Sequence, residues 1–206
     1  MSIDPDVNRD EVVLMMTCGG LEEGKGEESI AFIKSGEEDW TYIQEFRDVK
    51  DIVYSNGLFY VLDHWGVLSS CDVSNGFKVR RITSPDKKLA FLSYLVESPE
   101  GDLLRVVKEK ESCMVYKLVW FSRNPRWEEI MSLGEVALFL GDNHSTSVIA
   151  SDFVACRPNS IYFNEHREGP GFTDVNAYIY SLNDRTVTPL YPYTQLPLLW
   201  VSPKFV

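Results

Sequence analysis

Apolar and polar positions alternate in short runs along most of this 206-residue chain, and the runs stop at Gly, Asn, Asp, Ser and Pro. A period of two over four to eight residues predicts half-buried β-strands. The first run is Glu11 to Met16, ending at Gly19-Gly20. Ser29 to Lys34 and Asp39 to Ile43 follow, separated by Ser35-Gly36 and two acidic residues. Asp51 to Tyr54 and Leu58 to Leu62 flank Ser55-Asn56-Gly57. An Asn-Gly pair between two β-rich runs predicts a tight hairpin, because both turn positions take positive φ. Further hairpins are predicted at Asp63-His64-Trp65-Gly66, leading into Val67 to Val73, and at Ser74-Asn75-Gly76, leading into Phe77 to Ile82. The same texture continues through Leu89 to Val96, Leu103 to Val107, Met114 to Phe121, Trp127 to Leu133, Val136 to Leu140, Ser147 to Ala150, Ser160 to Phe163, Ala177 to Leu182 and Thr186 to Leu190. The stretches Lys108 to Ser112 and His166 to Thr173 read as a charged turn and a Gly/Pro-rich loop. No amphipathic helix of three turns is visible, so the predicted fold class is all-β.

A repeat decides between a sandwich and a propeller. Phe32 to Ile43 resembles Trp120 to Ile130: an apolar strand, a polar turn and Trp-x-x-Ile in the same order. Trp40 and Trp127 stand 87 residues apart, or two units of about 43, within the range of a four-stranded propeller blade. The chain then parses into a three-strand fragment, 11–44, and three full blades, 51–83, 89–133 and 136–190. The expectation is a β-propeller-like array of four-stranded antiparallel blades, with the tryptophans packed between blades.

Charge and cysteine usage narrow the function classes. The chain carries 31 acidic and 20 basic side chains, net −11, a field that opposes sequence-independent nucleic-acid binding and docking on an anionic membrane. The start of the chain lacks the basic and apolar regions of a secretory signal, and no apolar run approaches the roughly 20 residues of a membrane span. The expected location is cytoplasmic or nuclear. Cys18, Cys71, Cys113 and Cys156 fit no CxxC spacing and read as reduced, buried thiols.

Candidate chemistry is sparse. His64 and His144 sit in turns, and His166 sits in the Gly/Pro-rich loop; none is spaced with another His or Cys as metal ligands are. Asp142, His144 and Ser145 share one loop, which disfavours relay geometry; Asp142 and Asn143 read as an Asx-type turn. The acidic run Glu22 to Glu28 lacks the alternating Asp/Asn pattern of a calcium loop and reads as a solvated loop. Arg80, Arg81, Lys87 and Lys88 cluster around a turn and could contact an acidic partner peptide, although edge-strand charge is the ordinary reading. Lys108, Glu109, Lys110 and Glu111 read as a hairpin tip. No catalytic, cofactor-binding or metal-binding residue is assigned, and no cofactor is expected.

Several ordered runs carry a resemblance: Asp51 to Asp63, Tyr94 to Ser98 with Gly101-Asp102-Leu103-Leu104, Ser132-Leu133-Gly134 with Ala137 to Asn143, Ala150-Ser151-Asp152-Phe153, Asn159 to Phe163 and Trp200-Val201-Ser202-Pro203. Together they resemble the plant family termed domain of unknown function 295, the KIB-type β-propeller found behind F-boxes. The resemblance spans about residues 11–205. It implies a propeller used for protein recognition, often downstream of an F-box that docks on the Skp-type adaptor of a cullin ubiquitin ligase. Residues 1–10 are too few for a three-helix F-box, so the expected organisation is an N-terminal tail, 1–10, and a partial propeller, 11–206, without one. The expected function is a non-enzymatic protein–protein interaction module with no nucleic-acid or membrane partner, and with self-association through open blade edges. The alternatives are an enzyme with an axial-channel site and a truncated family member without independent function.

Overall fold

A computed structural model of the chain describes residues 2–3, 12–18, 29–46, 48–74, 77–85, 92–121, 124–141, 144–169 and 172–194. Seventeen strands lie within them, in four sheets. Sheet 1 is β1 (Ser2–Ile3), β2 (Val13–Cys18), β3 (Ser29–Lys34) and β4 (Thr41–Ile43). Sheet 2 is β5 (Val49–Ser55), β6 (Leu58–Asp63), β7 (Leu68–Asp72) and β8 (Lys78–Arg81). Sheet 3 is β9 (Leu92–Glu97), β10 (Leu103–Glu109), β11 (Ser112–Phe121) and β12 (Asn124–Ile130). In all three, consecutive strands are neighbours. Sheet 4 runs in the order β14-β13-β15-β16-β17, from β13 (Val136–Leu140), β14 (Thr146–Ile149), β15 (Ser160–Gly169), β16 (Phe172–Ser181) and β17 (Thr186–Thr194). This is the all-β, propeller-like array of four-stranded sheets that the repeat predicts. The two similar sequence runs, Phe32 to Ile43 and Trp120 to Ile130, cover the third and fourth strands of sheets 1 and 3.

Three details depart from the sequence expectation. The fragment at 11–44 gains a fourth strand, because Ser2 and Ile3 pair with Met15 and Leu14; two residues are too short a run to show a period. Sheet 4 has five strands, and one of its pairs is parallel: Ala137 lies opposite Ser160 and Leu140 opposite Phe163. β14 folds back along β13, and the 3-10 turn Ala150–Asp152 starts the crossover to β15. Finally, the Gly/Pro-rich segment is not a free loop. β15 and β16 stay in register out to Gly169 opposite Phe172.

The Asn56-Gly57 turn behaves as predicted. Asn56 has φ 49° and Gly57 φ 81°, and Ser55 lies opposite Leu58. Two compact units result, residues 1–95 with 119–126 and residues 96–118 with 127–206. In the first, alternate residues of sheets 1 and 2 form one core: Val13, Met15, Ile30, Phe32 and Ile43 meet Val49, Phe59, Val61 and Cys71. Phe32 stacks on Phe77 at 5.8 Å between centroids. Each such fully buried side chain contributes about 1.5–3 kcal/mol. In the second unit, Ala137, Tyr162, Ile179 and Leu190 of sheet 4 cluster with Ala150 and Cys156, with Phe139 stacked on Tyr162 at 4.5 Å. The tryptophans are not uniformly core. Trp40 is 37% exposed, Trp65 53% and Trp120 55%, while Trp127 is half-buried. Trp200 lies outside the described residues.

Candidate functional site

The candidate site grows from the β6–β7 turn in the first unit. Asp63 closes that turn by accepting hydrogen bonds through one carboxylate oxygen, Oδ1, from the Trp65 and Val67 N–H groups, both at 2.8 Å. Gly66 N–H donates back to the Asp63 carbonyl at 3.0 Å, and Gly66 takes φ 74°, a conformation that disfavours any side chain there. His64 N–H is tied to the Asp48 carbonyl at 2.8 Å. Thr83 clamps the turn from behind: its buried hydroxyl accepts from Leu68 N–H at 2.8 Å and donates to the Gly66 carbonyl. Arg81 is anchored in turn by donating from Nε to the Thr83 carbonyl at 3.2 Å.

With its backbone so fixed, the turn projects Trp65 outward. The His64 ring meets the indole edge-on at 5.8 Å. Trp65 flanks a cleft of about 380 Å³ that Glu45, Asp63, Val67, Val79 and Arg81 also line. Burial pushes the Asp63 carboxyl up, against the opposing pull of the Val67 and Trp65 N–H groups and of Arg81. Its hydrogen bonds to the turn backbone give Asp63 a structural role. The chemistry available to a visitor is an exposed indole face, a guanidinium and an acidic wall. Trp and Arg are the side chains that most often anchor protein interfaces.

The second unit carries a charged cavity of about 630 Å³ lined by Lys110, Glu111, Glu165, Tyr178 and Arg185. Beside it, Lys108 Nζ lies 2.7 Å from Glu165 Oε1 and 4.7 Å from the centroid of the Phe163 ring. Residues 108–111 do form a hairpin tip, with Lys110 and Glu111 in the turn and Glu109 opposite Ser112, but Lys108 at its base is buried. β10 runs on to Glu109 and is buried on both faces from Leu103 to Lys108, which is 7% exposed. Its partner is 57 residues away, so no local signal announces the pair. Arg185 occupies φ 56° in the β16–β17 turn, beside Asn183 and Asp184.

The remaining candidates do not converge. His144 lies before β14 and has its pKa held down by burial; Ser145 is buried, its hydroxyl accepting from Gly141 N–H. Asp142 and Asn143 lie outside the described residues, as do Lys87, Lys88 and the acidic run 22–28. His166 lies in β15. Arg80 and Arg81 lie in β8, both exposed. All four cysteines are free thiols, with Cys71 and Cys113 pushed up to about 12 by burial. Among the described residues, no group of three or more His, Cys, Asp or Glu is placed to hold a metal ion, and no helix is long and apolar enough to cross a membrane. Sequence reasoning missed Thr83 and Glu165, whose roles arise only from the tertiary contact.

The array of four- and five-stranded sheets defines a β-propeller-like fold. The chain belongs to the KIB1-4 beta-propeller family, whose pattern matches residues 1–184. It is similar to Arabidopsis thaliana proteins named as F-box proteins: At5g55150 at 28% identity over 86% of this chain and 54% of that protein, At2g17036 at 28% over 79% and 44%, and SKIP23 at 28% over 66% and 39%. The chain thus spans about half the length, or less, of these curated relatives.

Proposed function

We propose that the chain is a non-enzymatic protein-recognition module which, in company with an F-box, presents a bound protein for ubiquitination. The observation that carries this reading is the β6–β7 turn: four backbone hydrogen bonds and the Thr83 clamp hold a half-exposed Trp65 beside Arg81 and two carboxylates. A rigid turn that exposes an aromatic and a guanidinium suits protein binding, because the anchor is ordered before the partner arrives. Asp63 and Asp51, both with pKa values raised by burial, are bound to backbone N–H groups of a turn and of a strand junction, which supports a binding role for them over catalysis. The relatives named as F-box proteins support the ligase context.

The test is affinity capture from plant extract with the wild-type chain, with Trp65→Ala and with Arg81→Ala, followed by titration of each recovered protein against the purified variants. The reading predicts a partner lost from both variants while far-UV circular dichroism is unchanged. Recovery of the same proteins at unchanged affinity by all three chains would contradict it.

A further inference from the structure

The segment that leaves β8 carries a second chemistry beside the Trp65 turn. Ile82 and Thr83 are still held to sheet 2: both N–H groups donate to the Leu68 carbonyl, at 2.8 and 3.2 Å. Ser84 and Pro85 follow, outside any strand and exposed. Proline confines the residue before it to extended backbone and has no N–H of its own. Ser84 therefore presents its hydroxyl on an extended stretch outside the strands, the form in which a proline-directed protein kinase takes its substrate. Three Ser/Thr-Pro pairs lie among the described residues, and the other two are withheld. Ser98 is 8% exposed, and its hydroxyl accepts from Asp102 N–H at 3.1 Å. Thr188 lies within β17, opposite Ile179. The Ser84 hydroxyl makes no hydrogen bond to a described residue.

The group placed to receive a phosphate is Arg81. Its Nε donates to the Thr83 carbonyl at 3.2 Å, and that carbonyl belongs to the peptide unit joining Thr83 to Ser84. The guanidinium is thus one peptide unit from the serine, and its Nη groups make no hydrogen bond to a described residue. A phosphoserine carries about −1.5 to −2 charges at pH 7 and three strong acceptor oxygens. At Ser84 it meets a planar guanidinium, the side chain best shaped to bind phosphate. Arg81 also lines the cleft beside Trp65, together with Pro85, Glu45 and Asp63. A phosphate that engages Arg81 takes the cation out of that cleft and leaves two carboxylates facing the visitor.

We propose that Ser84 is a phosphorylation site whose phosphate pairs with Arg81 and switches off recognition at the Trp65 turn. The Ser84 Oγ attacks the γ-phosphorus of a nucleoside triphosphate held by the kinase. The Oγ–P bond forms, the bond to the β,γ-bridging oxygen breaks, nucleoside diphosphate leaves, and the hydroxyl proton passes to the kinase's base. The switch rests on the Trp65 reading, whereas the phosphate–Arg81 pair stands without it.

The experiment treats the whole 206-residue chain with a proline-directed kinase of the cyclin-dependent class and Mg·ATP, and maps the product by mass spectrometry. Phosphate is expected at Ser84 and not at that position in Ser84→Ala. Titration by phosphorus NMR then reads the pair. A phosphoserine has its second pKa near about 6; Arg81 lowers it, and Arg81→Gln restores the ordinary value. Phosphorylation weakens binding of the partner captured by the wild-type chain by about tenfold or more, while Ser84→Ala incubated with the same kinase keeps its affinity. No phosphate at Ser84 of the folded chain, the same titration in wild type and Arg81→Gln, or equal affinity of phosphorylated and unphosphorylated chains for a partner that Trp65→Ala weakens would each overturn the proposal. A partner indifferent to Trp65→Ala would overturn the Trp65 reading and the switch with it, and the titration would still decide the pair.

Discussion

Asp51→Asn isolates a buried charge at a strand junction. Asp51 sits at an irregularity of β5, where pairing with β6 shifts between Val49 and Asp51. Its carboxylate accepts from Leu95 N–H of β9 at 2.6 Å and from Ile52 N–H at 2.8 Å. Burial raises its pKa from 3.8 to about 7, outweighing the two N–H groups that favour the charge. Because the folded value lies above the unfolded one, the folded chain holds the proton more tightly. The stability so contributed is complete below about pH 4 and is lost as pH rises to about 7. At about 1.4 kcal/mol for each unit of pKa, the full range is an upper figure of about 4 kcal/mol. The asparagine variant has no charge to bury, but its amide nitrogen cannot accept, so one of the two N–H groups loses its acceptor. That costs about 1–3 kcal/mol at every pH. The assay is urea unfolding by circular dichroism at intervals from pH 5 to pH 8. The wild-type advantage over the variant should shrink steadily up to about pH 7 and then level. Parallel stability curves for the two chains would refute the assignment.

Other outcomes follow from the same geometry. Glu165→Gln leaves Lys108 buried beside a neutral amide and should cost about 3 kcal/mol in urea unfolding, whereas Lys108→Met, which removes the buried charge and keeps the stem, should cost less. Thr83→Val leaves the Leu68 N–H without its acceptor and should lower stability by about 1–3 kcal/mol, and it should also increase hydrogen exchange at Trp65 and Gly66. Cys71 and Cys113, buried and with raised pKa values, should react with a thiol reagent at pH 8 only at the rate of unfolding, while the half-buried Cys18 and Cys156 react faster.

The strand pattern and the repeat were legible because they are local. Pleat alternation writes the core face of sheet 1 into Val13, Met15, Ile30 and Phe32, and the Asn56-Gly57 turn writes its own hairpin. The repeated Trp-x-x-Ile runs mark equivalent hairpins of sheets 1 and 3. What was not legible depends on partners distant in sequence. Lys108 looks like a surface charge until β15 brings Glu165 beside it. The Asp63-His64-Trp65-Gly66 turn was visible, but the outward setting of Trp65 depends on Thr83, across β7 and β8. The parallel pairing of β13 and β15 follows from a crossover that no period records.

The central claim is that this propeller-like scaffold recognises protein through the Trp65 turn. The most direct measurement is the dissociation constant of a captured partner for the wild-type chain and for Trp65→Ala, read by calorimetry alongside their unfolding midpoints. The account predicts affinity lower by about tenfold or more, the scale of a lost interface anchor, with the midpoint unchanged. Equal affinities for the two chains would contradict it.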